Sequence, residues 1–291
     1  MICNQCPRKC NIERENALGY CKSPGAFRVA RAALHFWEEP CISGKNGSGT
    51  VFFSGCNLGC VYCQNYEISH NNKGMEISKE HLIKIFERLI EQGAQNINLV
   101  NPTHYALQLA ELIKSRHFPV PIVYNTSGYE SVETLKELEG LVDIYLTDFK
   151  YIDEEKAERY SKAKDYPKAA KAALDEMCRQ LPEDEFDENG MMKKGVIIRH
   201  LVLPSNTNQS IKVLDYLAEK HKERYISLMA QYVPCGELEG YSEINRGLTR
   251  REYKKVADYA ERAGFENVFF QELSSSEKKF IPTFDFSGIM W

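Results

Sequence analysis

Short apolar runs rich in β-branched and aromatic residues recur along the chain, separated by segments with helical spacing. Six of these runs are apolar on both faces, the pattern of strands buried in a parallel sheet. They are TVFFS (50–54), INLV (97–100), VPIVYN (120–125), VDIYLT (142–147), VIIRHLVL (196–203) and YISLMA (225–230). Between the first two, SKEHLIKIFERLIEQG places Leu82, Ile83, Phe86, Leu89 and Ile90 on one helical face, with Ser78 as N-cap and Gly93 as the stop. YALQLAELIKSR and DEEKAERYSKAKDYPKAAKAALDEM keep the same periodicity, and Pro167 divides the second into two helices. Six successive βα units with parallel strands close or twist into an α/β sheet or barrel. Ligands of such folds bind where loops converge at the C-terminal strand ends.

Three regions follow from the pattern. Residues 1–48 read as an irregular, cysteine-rich extension that ends in the Gly/Ser segment CISGKNGSG. Residues 49–245 hold the six units, and PEDEFDENG (182–190) reads as an acidic surface loop within them. Residues 246–291 add a helix (TRREYKKVADYAERAG) and a strand (VFFQEL), expected to pack on the barrel.

Composition narrows the class. The 291 residues are 43% hydrophobic and 27% charged, ordinary for a globular protein. No apolar run reaches the ~18 residues of a membrane span, and MICNQCPRKC has no apolar core of a secretory signal. The expectation is a cytoplasmic protein with no membrane association. Net charge is −4: residues 1–31 carry six Lys/Arg against two Asp/Glu, so the remainder is at −8. An acidic body argues against nucleic acid as a partner. In a reducing compartment, clustered thiols point to metal or catalysis rather than disulfides. Seven of the ten cysteines fall in two clusters.

The first cluster is FFSGCNLGCVYCQN, with Cys56, Cys60 and Cys63 directly after the first strand. A four-iron cubane normally takes four thiolates; three leave one iron open, as an open position marks a catalytic zinc. Zinc is the rival metal, with His70 the nearby candidate for a fourth ligand. The C-x3-C-x2-C spacing, with an aromatic before the last cysteine, resembles that of the radical S-adenosylmethionine (SAM) enzymes. The resemblance implies a partial (β/α)6 barrel, a [4Fe-4S] cluster on Cys56, Cys60 and Cys63, and SAM as the fourth ligand. It further implies reductive cleavage of SAM to a 5′-deoxyadenosyl radical that abstracts hydrogen.

Other strand ends extend the resemblance. Tyr62 takes the aromatic position near the adenine. VNPTHY stands where the family has a Gly-Gly-Glu-like turn, leaving Asn101 and Thr103, with His104, as stand-ins. YNTSGY and LTDFKY look like segments of pyruvate formate-lyase-activating enzymes, which implies SAM contacts at Asn125, Ser127, Asp148 and Lys150. IIRHLVLPSNTN is similar to the fifth-strand segment and assigns Arg199 a place near SAM or substrate, with His200 facing the helix layer. Tyr232 or Gln231 stands where those enzymes place a histidine near the adenosine.

The second cluster, Cys3, Cys6, Cys10 and Cys21, has the C-x2-C-x3-C-x10-C spacing of a zinc site or a second iron–sulfur cluster. A lobe so poor in apolar residues needs a metal to fold. HFWEEPCISG adds His35, Glu38, Glu39 and Cys41, read as aromatic packing with exposed carboxylates. Cys178 and Cys235 read as spectators.

The leading functional expectation is hydrogen abstraction from a protein or peptide, foremost glycyl-radical activation of a partner enzyme, with a flavodoxin or ferredoxin-type electron donor. A radical SAM maturase acting on a peptide or small molecule with an auxiliary cluster is the second. A non-catalytic, zinc-knit regulatory or nucleic-acid-binding protein is the third.

Overall fold

The computed structural model describes residues 2–273 and 282–290. A two-stranded ribbon, β1 (Ile2–Cys3) with β2 (Ile12–Glu13), opens the chain. The main sheet comprises β3 (Phe27–His35), β4 (Ser48–Phe53), β5 (Met75–Ile77), β6 (Ile97–Val100), β7 (Ile122–Thr126), β8 (Ile144–Asp148), β9 (Glu185–Phe186), β10 (Met192–Leu201), β11 (Tyr225–Met229) and β12 (Asn267–Phe270). Two four-residue turns of helix, α1 (Pro40–Ser43) and α2 (Tyr66–Ser69), lie in loops. The longer helices are α3 (Lys79–Glu91), α4 (Ala106–Lys114), α5 (Val132–Glu137), α6 (Glu154–Ser161), α7 (Tyr166–Gln180), α8 (Thr207–Lys220) and α9 (Arg250–Ala263).

The strand order is β12-β11-β10-β8-β7-β6-β4-β3-β5, with the short β9 on β10. From β4 through β12 every neighbour along this order is parallel, while β3 runs antiparallel to β4 and β5. The result is the expected α/β fold with a mostly parallel central sheet. It is open, because the edge strands β5 and β12 do not pair with each other. The six apolar runs form β4, β6, β7, β8, β10 and β11, and β4 is buried at all six positions. The tail supplies a seventh parallel strand, β12 against β11.

Helices cover the outer face. In α3, Ser78 caps the first turn by accepting from the His81 N–H, and Leu82, Ile85, Phe86 and Leu89 face β3, β4 and β6. Chain 154–180 breaks at Lys162, left-handed at φ 55, and α7 restarts with Pro167 in its first turn. The core between β7, β8 and α6–α7 is unusually phenolic: Tyr124, Tyr145, Tyr151, Tyr160 and Tyr166 are fully buried. Each hydroxyl has a partner, as a buried phenol needs. α9 is held by a capping box between Thr249 and Glu252. Among the described residues no helix is long and apolar enough to cross a membrane.

Two placements differ from the sequence pattern. Phe27–His35, grouped there with an irregular extension, is a nine-residue strand of the main sheet. Its alternation is broken by a register shift between Val29 and Arg31, which hides the period. The chain end also returns to this strand: the Ala32 N–H donates to Ser287 O at 2.9 Å and the Phe286 N–H to Ala30 O at 3.1 Å. Gly288, at φ +71, permits that approach, since a Cβ there would collide with the Ala32 carbonyl.

The N-terminal lobe docks through side chains on main-chain carbonyls. Gln5 Nε2 donates to His104 O at 2.7 Å, and Arg8 donates to Asn57 O at 2.8 Å and Lys162 O at 2.7 Å. The Arg8 guanidinium also lies 3.7 Å over the Tyr20 ring. Charge-assisted bonds of this kind contribute about 1.5–3 kcal/mol each. Arg8→Ala is therefore expected to open residues 1–26 to limited proteolysis while the melting temperature of the sheet moves by only about 2 °C. Equal protection of the lobe in variant and wild type would contradict this docking.

Candidate active site

The sheet curves so that residues from six strands line one cavity of 550 Å³: Phe52, Val100, Asn125, Asp148, Arg199, Leu201 and Met229. The three-cysteine loop forms its wall. Gly55, at φ +92, turns the chain out of β4 in a space where a Cβ would strike Ser23. Beyond it the loop is tied to α6, with the Gly59 N–H donating to Ser161 O at 3.0 Å and the Val61 N–H to Tyr160 O at 2.9 Å. Asn57 Nδ2 donates to Tyr129 O at 2.6 Å.

Each of the three sulfurs has a polar partner. Asn101 Nδ2 donates to Cys56 Sγ at 3.1 Å and Ser69 Oγ to Cys63 Sγ at 3.2 Å, while Ser161 Oγ lies 3.0 Å from Cys60 Sγ. Burial raises all three thiols, Cys60 to about 11, and the neighbouring sulfurs raise them further. Three neighbouring thiols, Cys60 buried and Cys56 and Cys63 partly buried, with hydroxyl and amide groups beside their sulfurs suit thiolates neutralised by an iron–sulfur group. The donor set thus fits the cluster that the spacing implies. His70 is engaged elsewhere: its Nδ1 is 2.8 Å from Ser69 Oγ and its ring stacks on Tyr66 at 4.3 Å. Among the described residues no three His, Cys, Asp or Glu side chains converge tightly enough to hold a single metal ion.

Opposite the thiols, strand register builds a charged floor. Asp148 and Arg199 are direct neighbours on β8 and β10. Arg199 Nε bonds Asp148 Oδ1 at 2.9 Å, Nη2 bonds Asn125 Oδ1 at 2.6 Å and Nη1 reaches Glu38 Oε2 at 3.3 Å. Lys150 Nζ bonds the other Asp148 oxygen at 2.6 Å. Burial opposes ionisation of Asp148, yet the Lys150 and Arg199 cations hold its carboxyl below the usual range. Burial likewise opposes the Lys150 charge, and Asp148 more than restores it. Burial pushes Glu38 and Glu39 up, with Arg199 pulling back.

Of the residues singled out in the sequence, Cys60, Cys63, Tyr62, Asn125, Asp148, Lys150 and Arg199 line the cavity. Cys56 is not among the lining residues, and neither is Asn101, which donates to the Cys56 sulfur. Thr103 is buried away from the cavity, bonded to Asn101 and Glu130. Ser127 lies behind the floor, its carbonyl accepting from Tyr166 Oη at 2.9 Å. Tyr232 is fully buried and donates to Ile244 O at 2.7 Å; Gln231 takes the lining position. His200 sits in the helix layer between Phe149 O and Ser210 Oγ. Cys235 Sγ is 3.5 Å from Tyr62 O, and Cys178 Sγ is 3.7 Å from His221 Nδ1.

HFWEEP is inverted relative to the sequence reading. Glu39 is buried and Glu38 nearly so, whereas Phe36 is 50% and Trp37 63% exposed. The carboxylates turn inward because Arg199, Asn98 and Asn125 meet Glu38 there. At the N-terminus, Cys3, Cys6, Cys10 and Cys21 line one small cavity of 10 Å³ against Tyr20 and Asn57, so the set is gathered beside the three-cysteine loop.

Arg199 is the cation shared by the Asp148 and Glu38 carboxylates, and its removal leaves Glu38 buried without an ion-pair partner and Asp148 with Lys150 alone. Arg199→Met is expected to cost about 3–5 kcal/mol in urea denaturation, with Asp148→Asn in that background restoring part of it. A loss below about 1 kcal/mol would show that the floor does not depend on this pair.

The radical SAM superfamily model matches residues 50–217. An uncharacterized protein of Methanocaldococcus jannaschii, MJ0674, is 30% identical over 279 residues, covering 92% of this chain and 76% of that protein. The structure of Streptococcus suis SuiB bound to the precursor peptide SuiA aligns with a TM-score of 0.49 at 15% identity. That alignment covers 75% of this chain, which spans 46% of SuiB. The superfamily match takes in more than half of the chain, from the three-cysteine loop to the charged floor, and the protein belongs to the radical SAM superfamily.

Proposed function

We propose that this protein cleaves SAM reductively and directs the resulting radical at a polypeptide, with a backbone glycine of a partner enzyme as the preferred acceptor. Cys56, Cys60 and Cys63 would hold a [4Fe-4S] cluster, which when bound would supply the electron for reductive cleavage of SAM. The chain's own residues bind and orient. Lys150 offers a fixed ammonium to the SAM carboxylate, and Asp148 offers carboxylate oxygens to its amino group. Tyr62 backs the adenine, its hydroxyl 2.6 Å from that of Tyr151. Phe52, Val100, Leu201 and Met229 exclude water from the reacting end. A flavodoxin or ferredoxin-type protein is the proposed electron donor.

The observation that carries the polypeptide reading is the rim. Trp37, which is mostly exposed, and Pro282 of the returning tail are among the residues that line the cavity. Exposed aromatics at a cavity mouth are characteristic of protein docking. The similarity of LTDFKY to the activating enzymes favours the glycyl form. A polypeptide fraction labelled with deuterated glycine, added with SAM and dithionite to reconstituted protein, is expected to pass deuterium into 5′-deoxyadenosine. Trp37→Ala should cut that transfer about tenfold relative to SAM cleavage, equivalent to about 1.4 kcal/mol of docking. SAM cleavage without deuterium transfer would contradict the glycyl reading.

A second reading, a peptide maturase with an auxiliary cluster, draws on the four N-terminal cysteines gathered at the cysteine loop. Iron counting separates the two: about eight irons per chain supports the auxiliary cluster, about four removes it. Stoichiometric zinc would make the lobe a structural site.

A further inference from the structure

A row of hydrogen bonds leads from the sulfur of Cys56 into the phenolic core. Asn101 Nδ2 donates to Cys56 Sγ at 3.1 Å, and Asn101 Oδ1 lies 2.9 Å from Thr103 Oγ1. Thr103 Oγ1 is in turn 2.5 Å from Glu130 Oε1. The same carboxyl oxygen meets Thr126 Oγ1, which accepts from the Gly128 N–H at 3.2 Å. Tyr124 Oη reaches Glu130 Oε2 at 3.4 Å. Glu130 is buried and does not touch Cys56.

Proton counting makes this row bistable. A threonine hydroxyl carries one proton, so Thr103 cannot donate to Glu130 and to Asn101 together. With Glu130 protonated, its O–H donates to Thr103, Thr103 donates to Asn101 Oδ1, and the amide N–H faces sulfur. With Glu130 ionised, Thr103 and Thr126 both donate to the carboxylate. Asn101 Oδ1 then opposes a hydroxyl oxygen, and the favoured amide is the flipped one, with its oxygen toward Cys56. A hydrogen bond to a ligating sulfur stabilises the added electron of a reduced cluster, and an oxygen there opposes it.

We propose that Glu130 is a positioning residue which, through Thr103 and Asn101, decides which end of the Asn101 amide meets Cys56 and so sets how readily the cluster accepts one electron. The inference rests on the cluster assignment made above. Burial pushes the Glu130 carboxyl up to about 7, with the threonine and tyrosine hydroxyls offsetting part of that, so both states are reached near neutrality. The titratable groups facing it are Tyr124 on β7 and Tyr145 on β8, both raised by burial and uncharged in this range, and Cys6 of the N-terminal lobe, coupled to Glu130 through charge alone.

The test is a mediated potentiometric titration of reconstituted protein, with dithionite as reductant and the solution potential recorded, at about pH 6 and about pH 8.5, read from the reduced-cluster EPR signal. Wild type is expected to be harder to reduce at the higher pH. Glu130→Gln, neutral throughout and able to donate its amide N–H to Thr103, should keep one midpoint at both. Asn101→Ala should be hard to reduce at both. A pH-independent wild type, or a slope that survives in Glu130→Gln and so arises elsewhere, for instance at His70, overturns the proposal. NMR of the metal-free protein separates this failure from failure of the cluster assignment. There the Glu130 carboxyl and Asn101 amide signals should shift together with one midpoint, whether or not a cluster loads. An amide signal that ignores the Glu130 titration overturns the relay by itself.

Discussion

The pairing of Arg199 with Asp148 across β10 and β8 is the contact on which the site depends. A parallel sheet delivers its strand ends to one side, and here those ends carry Asn125, Asp148 and Arg199 within reach of one another. An isolated buried charge costs several kcal/mol, so the group stands only because each member has a partner. Arg199 also reaches Glu38, which draws the β3–α1 loop over the cavity and leaves Trp37 at its lip. The floor and the rim are thus one electrostatic unit.

The sulfur side is built differently. Main-chain bonds tie the cysteine loop to α6, and the N-terminal lobe clamps it from outside through Arg8. Neutral donors from Asn101 and Ser69 reach the sulfurs rather than cations. Lys150 is the nearest strong cation on the floor and is already committed to Asp148. Such a division keeps the thiols responsive to a metal centre while the floor keeps a fixed charge pattern for a zwitterionic ligand.

The parts legible in sequence are those with local signals. Six buried strands, the Ser78 cap, the break before Pro167 and the three-cysteine loop are written in contiguous residues. Burial of Glu38 was hidden, because its partner Arg199 is 161 residues away and EEP reads as a surface turn. Phe27–His35 was hidden because a bulge interrupts its period and two arginines sit in it. Asn101 and Thr103 were visible as a departure from the family pattern, but their partners Cys56 and Glu130 come together only in three dimensions. Tyr232 shows the reverse error: position in sequence suggested the cavity, and its ring is buried against Tyr62 with the hydroxyl spent on Ile244.

The central claim is that Cys56, Cys60 and Cys63 hold a cluster that reduces SAM above this floor. The most direct measurement is anaerobic reconstitution with iron and sulfide, then dithionite and SAM, with assay of 5′-deoxyadenosine in wild type and in the variant with all three cysteines replaced by alanine. The account predicts product from wild type and none from the variant. A fully loaded wild-type cluster that yields no 5′-deoxyadenosine, or a variant that yields as much as wild type, would contradict it.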